Sequence, residues 1–322
     1  MQNIDNDSSV YLLVDGGKSK TEAVIIDSAG FEIAKSRGPG LEIIGSVNGY
    51  ESVVTSLRST FDQLPQIARF AAVAFGLNGV QAPSESADLA AKAISSLVQS
   101  DQFTIASDVV MNYLGALGNQ PGIVVAAGTG SVVMAISRQG VPFRIDGDGP
   151  LFADRGSGHD IGRQGLKIAA MVDDGLPGGS MALHKAMIQR FGTLENTANS
   201  VYGAQNPIEL VASFSRSVAE AAKEGDEISI EILRSAAQDL ALNVQAAARR
   251  SQLAGTPFSY STAGGLFNIG PLLEKPFHDF ISQFLPEAQH QRPVGGAIAG
   301  AQIVAMNKAR TLEQVTTWVG AN

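Results

Sequence analysis

Apolar positions along the chain fall into two patterns. In the first, short runs rich in Val and Ile are cut by glycine, which predicts strands joined by tight turns. The run 10–15 ends in an acid, Gly16-Gly17-Lys18-Ser19-Lys20 turns, 21–27 runs back, Ser28-Ala29-Gly30 turns again, and 31–36 forms a third run. This predicts an antiparallel three-stranded meander. In the second pattern the spacing is helical: Val47, Tyr50, Val53, Val54, Leu57 and Phe61 share one face. Residues 70–75 predict a strand closing in Gly76. Ser84 predicts the N-cap of a helix reaching about Val98. Residues 102–106 predict a strand, followed by Ser107-Asp108 and a helix to about Leu117.

The opening pattern then returns. Residues 122–127 predict a strand, Gly128-Thr129-Gly130 a turn, 131–137 a strand, Arg138-Gln139-Gly140 a turn, and 141–146 a strand. Strand, glycine turn, strand, tight turn, strand thus occurs twice, which predicts two related domains with a boundary near Asn119-Gln120-Pro121. Beyond this the helical period dominates, over 158–172, 180–191, 207–223 and 226–254. Residues 257–263 predict a strand ending in Gly264-Gly265 before a helix. Residues 293–306 and 312–319 predict closing helices.

Composition narrows the classes. The chain has 322 residues, 44% hydrophobic and 17% charged, enough for two globular domains with substantial cores. The net charge of −8 argues against a nucleic-acid or anionic-membrane partner, but not against a small anion held by backbone N–H groups. There is no cysteine, which excludes disulfides, cysteine-ligated clusters or zinc, and thiol nucleophiles. His159, His184, His278 and His290 have no metal-protease spacing. The first residues carry Asp5 and Asp7 with no basic or apolar leader, and no apolar run reaches membrane-spanning length, so the expected compartment is the cytoplasm.

Five segments carry candidate chemistry. Asp15-Gly16-Gly17-Lys18-Ser19-Lys20-Thr21 lies between two strands. Its glycines let successive N–H groups face a phosphate, and the strand-end acid suits a phosphate-bound Mg²⁺ reached through water. The plain alternative is a hairpin turn. Gly128-Thr129-Gly130-Ser131 is the matching turn of the second repeat. Asp108 opens a helix and is either a cap or a carboxylate that accepts a proton from a substrate hydroxyl. Asp146-Gly147-Asp148-Gly149, followed by Asp154-Arg155-Gly156-Ser157-Gly158, places acids among glycines, where they fit sugar hydroxyls or form a polar loop. Ala263-Gly264-Gly265-Leu266-Phe267 allows close approach of a flat ring, or is a strand-to-helix turn.

In this order and spacing the five segments resemble the actin/hexokinase/Hsp70 ATPase superfamily. More narrowly they resemble the BadF/BadG/BcrA/BcrD group, whose sugar-directed members include N-acetylglucosamine kinases. The stretch 15–21 resembles the phosphate-1 motif DGGGTKT, with Lys18 for the third glycine and Ser19 for threonine. The stretch 128–131 matches phosphate-2, Asp108 the catalytic aspartate and Gly264-Gly265 the adenosine motif. The stretch 154–164 resembles GDEGSGxxIGRQ. The departures cluster on the sugar side. GPxN appears as Gly38-Pro39-Gly40-Leu41, GGWG as Asp146-Gly147-Asp148-Gly149, and the glutamate of DEGSG as Arg155.

The resemblance implies an α/β fold of two ribonuclease-H-like domains around an interdomain ATP cleft. Residues 1–118 would form the first, and 119–322 the second with a helical insertion, the last helix packing back on the first. It implies an ATP-dependent kinase that phosphorylates a sugar or amino sugar, with ATP and Mg²⁺ as cofactors and a homodimer as an allowed state. Asp15 would position Mg²⁺ through water, and Asp108 would be the catalytic base. Gly16, Gly17, Lys18, Ser19, Gly128, Thr129 and Gly130 would hold the ATP phosphates. Gly264, Gly265 and Phe267 would hold adenosine. Asp108, Asp148, Asp154, Leu41 and Glu42 would face the sugar. Acids at 148 and 42 predict a pocket favouring a free amine, hence glucosamine over N-acetylglucosamine. The alternatives are a non-catalytic sugar- or ATP-binding regulator, a BadF-type ATPase without the iron–sulfur cluster that cysteines would hold, and a chaperone-type ATPase, which would need a further substrate domain.

Overall fold

The structure is a computed structural model and describes residues 9–81, 83–306 and 316–320. The described residues divide into two compact units. The first draws on Met1–Pro121, Arg138–Pro142 and Arg292–Asn322, the second on Gly122–Ser137 and Phe143–Gln291.

In the first unit, Tyr11–Gly16 (β1), Lys20–Ile26 (β2) and Glu32–Pro39 (β3) form the expected antiparallel meander. Ala72–Leu77 (β4) lies parallel to β1, and Gln102–Ser107 (β5) lies parallel to β4. The helices Gly49–Phe61 (α1), Glu85–Ser95 (α2) and Asp108–Leu117 (α3) connect them. Strand alternation explains how β1 is covered on both faces. Leu12 and Val14 cluster with Leu57 of α1 and Ile94 of α2, whereas Leu13, out of phase, is equally buried away from that cluster. The helix Ala297–Met306 (α11) packs on α3, β1 and β4.

In the second unit the order repeats. Gly122–Ala127 (β6) pairs antiparallel with Ser131–Ile136 (β7), and Pro142–Asp146 (β8) follows. A helical insertion comes next: Gly158–Asp173 (α4), Met181–Phe191 (α5), Leu194–Gly203 (α6), Pro207–Ser213 (α7), Ser215–Lys223 (α8) and Glu227–Arg250 (α9). Phe258–Ala263 (β9) is parallel to β6. After a 3-10 turn, Gly265–Ile269, and a helix, Pro271–Phe284 (α10), the short Ala288–His290 (β10) is parallel to β9. Thr316–Gly320 (β11) returns to the first sheet. The two sheets read β11-β5-β4-β1-β2-β3 and β10-β9-β6-β7-β8, so without β11 their orders correspond strand for strand. No helix among the described residues is long and apolar enough to cross a membrane.

Four differences from the sequence pattern have physical causes. The strand expected at 70–75 begins two residues later, because Phe70 makes an isolated bridge to Ser100. The helix expected over 207–223 breaks at Phe214, whose N–H bonds back three residues to Val211 at 3.0 Å. The helix α6 carries only a thin apolar stripe, Leu194 and Val201, with Thr197 as its buried residue, and the side chain of Thr193 caps it. Of the closing helix expected at 312–319, residues 312–315 lie outside the described residues. Residues 316–319 belong instead to β11, antiparallel to β5. Thr316, Thr317, Trp318 and Val319 are strand formers, and the β5 edge offers the backbone a partner.

The helices α3 and α11 meet through glycine. A Cβ on Gly300 would fall far inside van der Waals contact with the Met111 carbonyl oxygen, and one on Gly115 would do the same with the Gly296 carbonyl oxygen. Both obstacles are backbone, so neither can rotate aside. Gly300→Ala is expected to lower the unfolding free energy by about 2 kcal/mol despite its better helix propensity. Urea denaturation compared with Ala299→Gly, on the same helix, checks this.

Candidate functional site

The first unit gathers its chemistry at the carboxyl ends of three adjacent parallel strands, where open α/β sheets bind ligands. Across these strands Asp15 lies opposite Gly76, and Gly76 opposite Ala106; one residue on, Gly16 lies opposite Leu77, and Leu77 opposite Ser107. Asp108 follows Ser107 as the first residue of α3, and its Oδ1 accepts the N–H of Val109 at 2.8 Å. Ser107, not Asp108, occupies the cap position. Gly76 lets this helix start lie close over β4: a Cβ there would be 2.7 Å from Met111 Cγ and 3.5 Å from Asp108 Cα.

Burial pushes the Asp15 carboxyl up to about 7, and the charge of Asp108 pushes the same way, with Glu22 adding to it and Lys20 opposing. Glu22 is itself desolvated, but Lys35 at 2.6 Å, Lys20 at 3.7 Å and Arg37 at 3.0 Å outweigh this and hold it below its ordinary value. The turn beyond β1 is braced by its own backbone: Gly17 N–H donates to Lys20 O at 3.0 Å, Leu41 N–H to Gly17 O at 2.9 Å, and Asn78 N–H to Gly16 O at 2.7 Å. Lys18 is half-buried and Ser19 exposed on this turn. Leu41 is 2% exposed and packs in the apolar core, so its side chain presents no surface to a sugar. Glu42 beside it is exposed.

The second unit builds its loops around one carboxylate. Asp146 is fully buried as a side chain. Its Oδ1 accepts from the N–H groups of Gly147 and Asp154 at 3.0 and 2.8 Å; its Oδ2 accepts from Arg155 N–H and Asn243 Nδ2 at 3.0 and 2.9 Å. These oxygens are occupied within the fold, so the loop acid expected to face sugar hydroxyls is a fastener. Asp154 is 5% exposed, and its Oδ1 accepts Gly149 N–H at 3.2 Å. A Cβ on Gly130 would be 2.6 Å from Asp154 Oδ2, which brings the second glycine turn against this loop. The start of α4 donates twice to the same turn, from Gly158 N–H to Gly128 O at 2.8 Å and from His159 N–H to Thr129 O at 3.0 Å. Asp148 is exposed and paired with Arg144 at 2.8 Å. That ion pair matches the charge on which the preference for a free amine rested.

At the end of β9, Gly264 adopts φ +94, and a Cβ there would collide with Ala127 O, so glycine lets the chain pass β6 closely. Gly265 has open space on its Cβ side out to 3.9 Å. Phe267 differs from expectation. It is 8% exposed and packs edge-on against Phe277 at 5.6 Å, so its ring belongs to the core and not to a purine-stacking face. Of the residues singled out in the sequence, the structure brings Asp15, Gly16, Gly17 and Asp108 to one sheet edge of the first unit. It brings Gly128, Gly130 and Asp154 together in the second. Two residues at the first edge escaped sequence reasoning. Gly76 is signalled by a glycine ending an apolar strand, and Asn78 by the first polar side chain after it.

Titration of Asp15 has a defined sign. In the folded chain its carboxyl keeps its proton up to about 7, whereas the unfolded reference lies at 3.8. The folded state therefore binds more protons between these values, and stability is lost as pH rises through that window. Asp15→Asn removes the titration, so its stability advantage over the parent is expected to grow from about pH 4 to about pH 7.5 in urea unfolding. A flat difference would sink the assignment. Asp146→Ala leaves at least four donors without their acceptor and is expected to destabilise the protein by about 3 kcal/mol, read by the same method.

Comparison with known proteins identifies the fold and the family. An N-acetylmuramic acid/N-acetylglucosamine kinase of Clostridium acetobutylicum is 28% identical over 67% of this chain and 71% of its own length. An N-acetyl-D-glucosamine kinase of Dictyostelium discoideum is 25% identical over 94% of this chain and 99% of its own. The crystal structure of a candidate N-acetylglucosamine kinase from Chromobacterium violaceum superposes with a TM-score of 0.73 at 26% identity, covering 93% of this chain and 99% of that one. The fold is thus the actin/hexokinase type, with the duplicated sheet order described above. The model of the BadF/BadG/BcrA/BcrD ATPase family matches residues 14–303, and the chain belongs to that family.

Proposed function

We propose that this protein is an ATP-dependent kinase that phosphorylates a hydroxyl of an amino sugar or N-acetylated amino sugar. The observation that carries the reading is the pair of carboxylates, Asp15 and Asp108, held at one edge of the first sheet, with the Asp15 carboxyl driven up to about 7 by burial and by Asp108. Such a site is short of positive charge and fits a divalent cation. Among the described residues no group of three or more His, Asp or Glu could hold a metal ion. A cation near Asp15 would therefore take most of its ligands from phosphate oxygens and water, as Mg²⁺ does on nucleotides.

Magnesium-bound ATP supplies the phosphoryl group. The residues of the chain divide the remaining work. Gly16 and Gly17, and the corresponding Gly128, Thr129 and Gly130, offer close backbone approach to phosphate. Lys18 contributes a cation beside the first turn. Gly264 and Gly265 give a flat backbone surface for adenosine. Asp108 orients the acceptor hydroxyl and takes its proton as the new P–O bond forms. Asp154, held at the second glycine turn, accepts from a sugar hydroxyl. With Asp148 matched by Arg144, the pocket has less reason to demand an amine. The names of the relatives, N-acetylglucosamine and N-acetylmuramic acid kinases, lead the acceptor panel.

Asp108→Asn is expected to keep the fold and ATP affinity and to lower phosphoryl transfer by about 10²-fold or more, as loss of a positioned base does. ADP release is followed with N-acetylglucosamine, N-acetylmuramic acid, glucosamine and glucose as acceptors. Near-parent turnover by this variant would falsify the role of Asp108. Sugar binding by the parent with no ADP release would favour the regulator.

A further inference from the structure

We propose that Asn78 is a contact residue for the acceptor sugar, its carboxamide reading a polar group next to the hydroxyl that reacts. This rests on the sugar-kinase reading above. Every residue of β4 is buried, and the strand AVAFGL carries no polar side chain. The first side chain beyond it is Asn78. Gly16, Leu77 and Ser107 form the last paired row of the three strands, and Gly17, Asn78 and Asp108 are the residues that follow them along the chain. Asn78 therefore leaves the same end of the sheet as the carboxylate assigned to the acceptor hydroxyl, on the strand between it and the glycine turn.

Its backbone is held independently of its side chain. The Asn78 N–H donates to Gly16 O at 2.7 Å, and Gly79, at φ +74, turns the chain immediately afterwards. The carboxamide is only half-buried and lightly engaged. Its Nδ2 lies 3.4 Å from Leu41 O, beyond the usual range for such a bond, and its Oδ1 has no hydrogen-bond partner among the described residues. Asp15, Asp108 and Glu42, when ionised, can only accept hydrogen bonds. Leu41 is apolar and buried. A carboxamide both donates and accepts, which matches a ring hydroxyl or an acetamido group carrying both functions. A site that hydrogen-bonds a substrate group discriminates strongly against analogues lacking it.

The test compares the parent, Asn78→Ala and Asn78→Asp on N-acetylglucosamine, glucosamine and glucose, and then on monodeoxy analogues of the best of these. Each variant keeps the backbone bond to Gly16. Asn78→Ala is expected to raise the acceptor KM about tenfold or more, with the ATP KM within about twofold and the melting temperature unchanged. One deoxy analogue, the one lacking the group Asn78 reads, should lose nothing further in the variant. Asn78→Asp preserves the shape without the donor and gives the same comparison if the alanine variant folds poorly. Failure of the parent to phosphorylate any of these sugars would overturn the kinase reading and the role of Asn78 with it. Turnover by the parent with an unchanged acceptor KM in both variants, or with acceptor and ATP KM raised alike, overturns the Asn78 assignment alone.

Discussion

Two like charges held at one sheet edge are the constraint on which the candidate chemistry depends. Asp15 and Asp108 would repel less if either turned to water, but the parallel register of β1, β4 and β5 fixes both. Glycine at position 76 removes the side chain that would otherwise hold α3 away. The result is a carboxyl at Asp15 that favours its proton near neutrality until positive charge arrives. Under the proposed function, such a site would bind a cation more strongly because its empty form keeps two acids close together. The fold supports that closeness with the apolar packing behind Leu12, Leu13 and Val14, all nearly or fully inaccessible to solvent.

The second unit solves a different problem with the same element. Asp146 is a buried carboxylate too, yet it is surrounded by donors from Gly147, Asp154, Arg155 and Asn243. Burial without partners raises a carboxyl toward neutrality, whereas burial among N–H groups makes it an anchor. One chain thus buries an aspartate beside a second acid in one sheet and among hydrogen-bond donors in the other. Sequence alone does not distinguish these uses, since Asp15-Gly16 and Asp146-Gly147 both end strands before glycine.

Much of the architecture was legible because it follows local periodicity. The meander, the returning strand–turn–strand pattern, the helix capped by Ser84 and the helix over 158–172 come from alternation, glycine placement, a side-chain cap and helical periodicity. What was not legible depends on distant partners. The strand β11 needs the free edge of β5, and β10 is three residues long with little pattern of its own. At the site, Asp15 and Asp108 were readable as acids at strand and helix ends. Leu41 and Phe267 were placed beside ligands by their positions in resembling motifs, whereas the structure turns both side chains into apolar cores, which a motif position does not reveal. Asn78 was passed over because one polar residue after a strand is ordinary until its neighbours across the sheet are known.

The return of the chain to its first unit has a consequence for synthesis. The helix α11 packs on α3, β1 and β4, and β11 completes the edge of the first sheet, yet both are made after the whole second unit. The residues of the second unit are contiguous apart from a five-residue excursion, so its sheet can close while the last thirty or so residues are still being translated. The first unit cannot. Until the ribosome delivers α11, the glycine-lined face of α3 at Gly115 and the buried Met111 have no partner. The early-made unit is therefore the one whose core is completed last in translation.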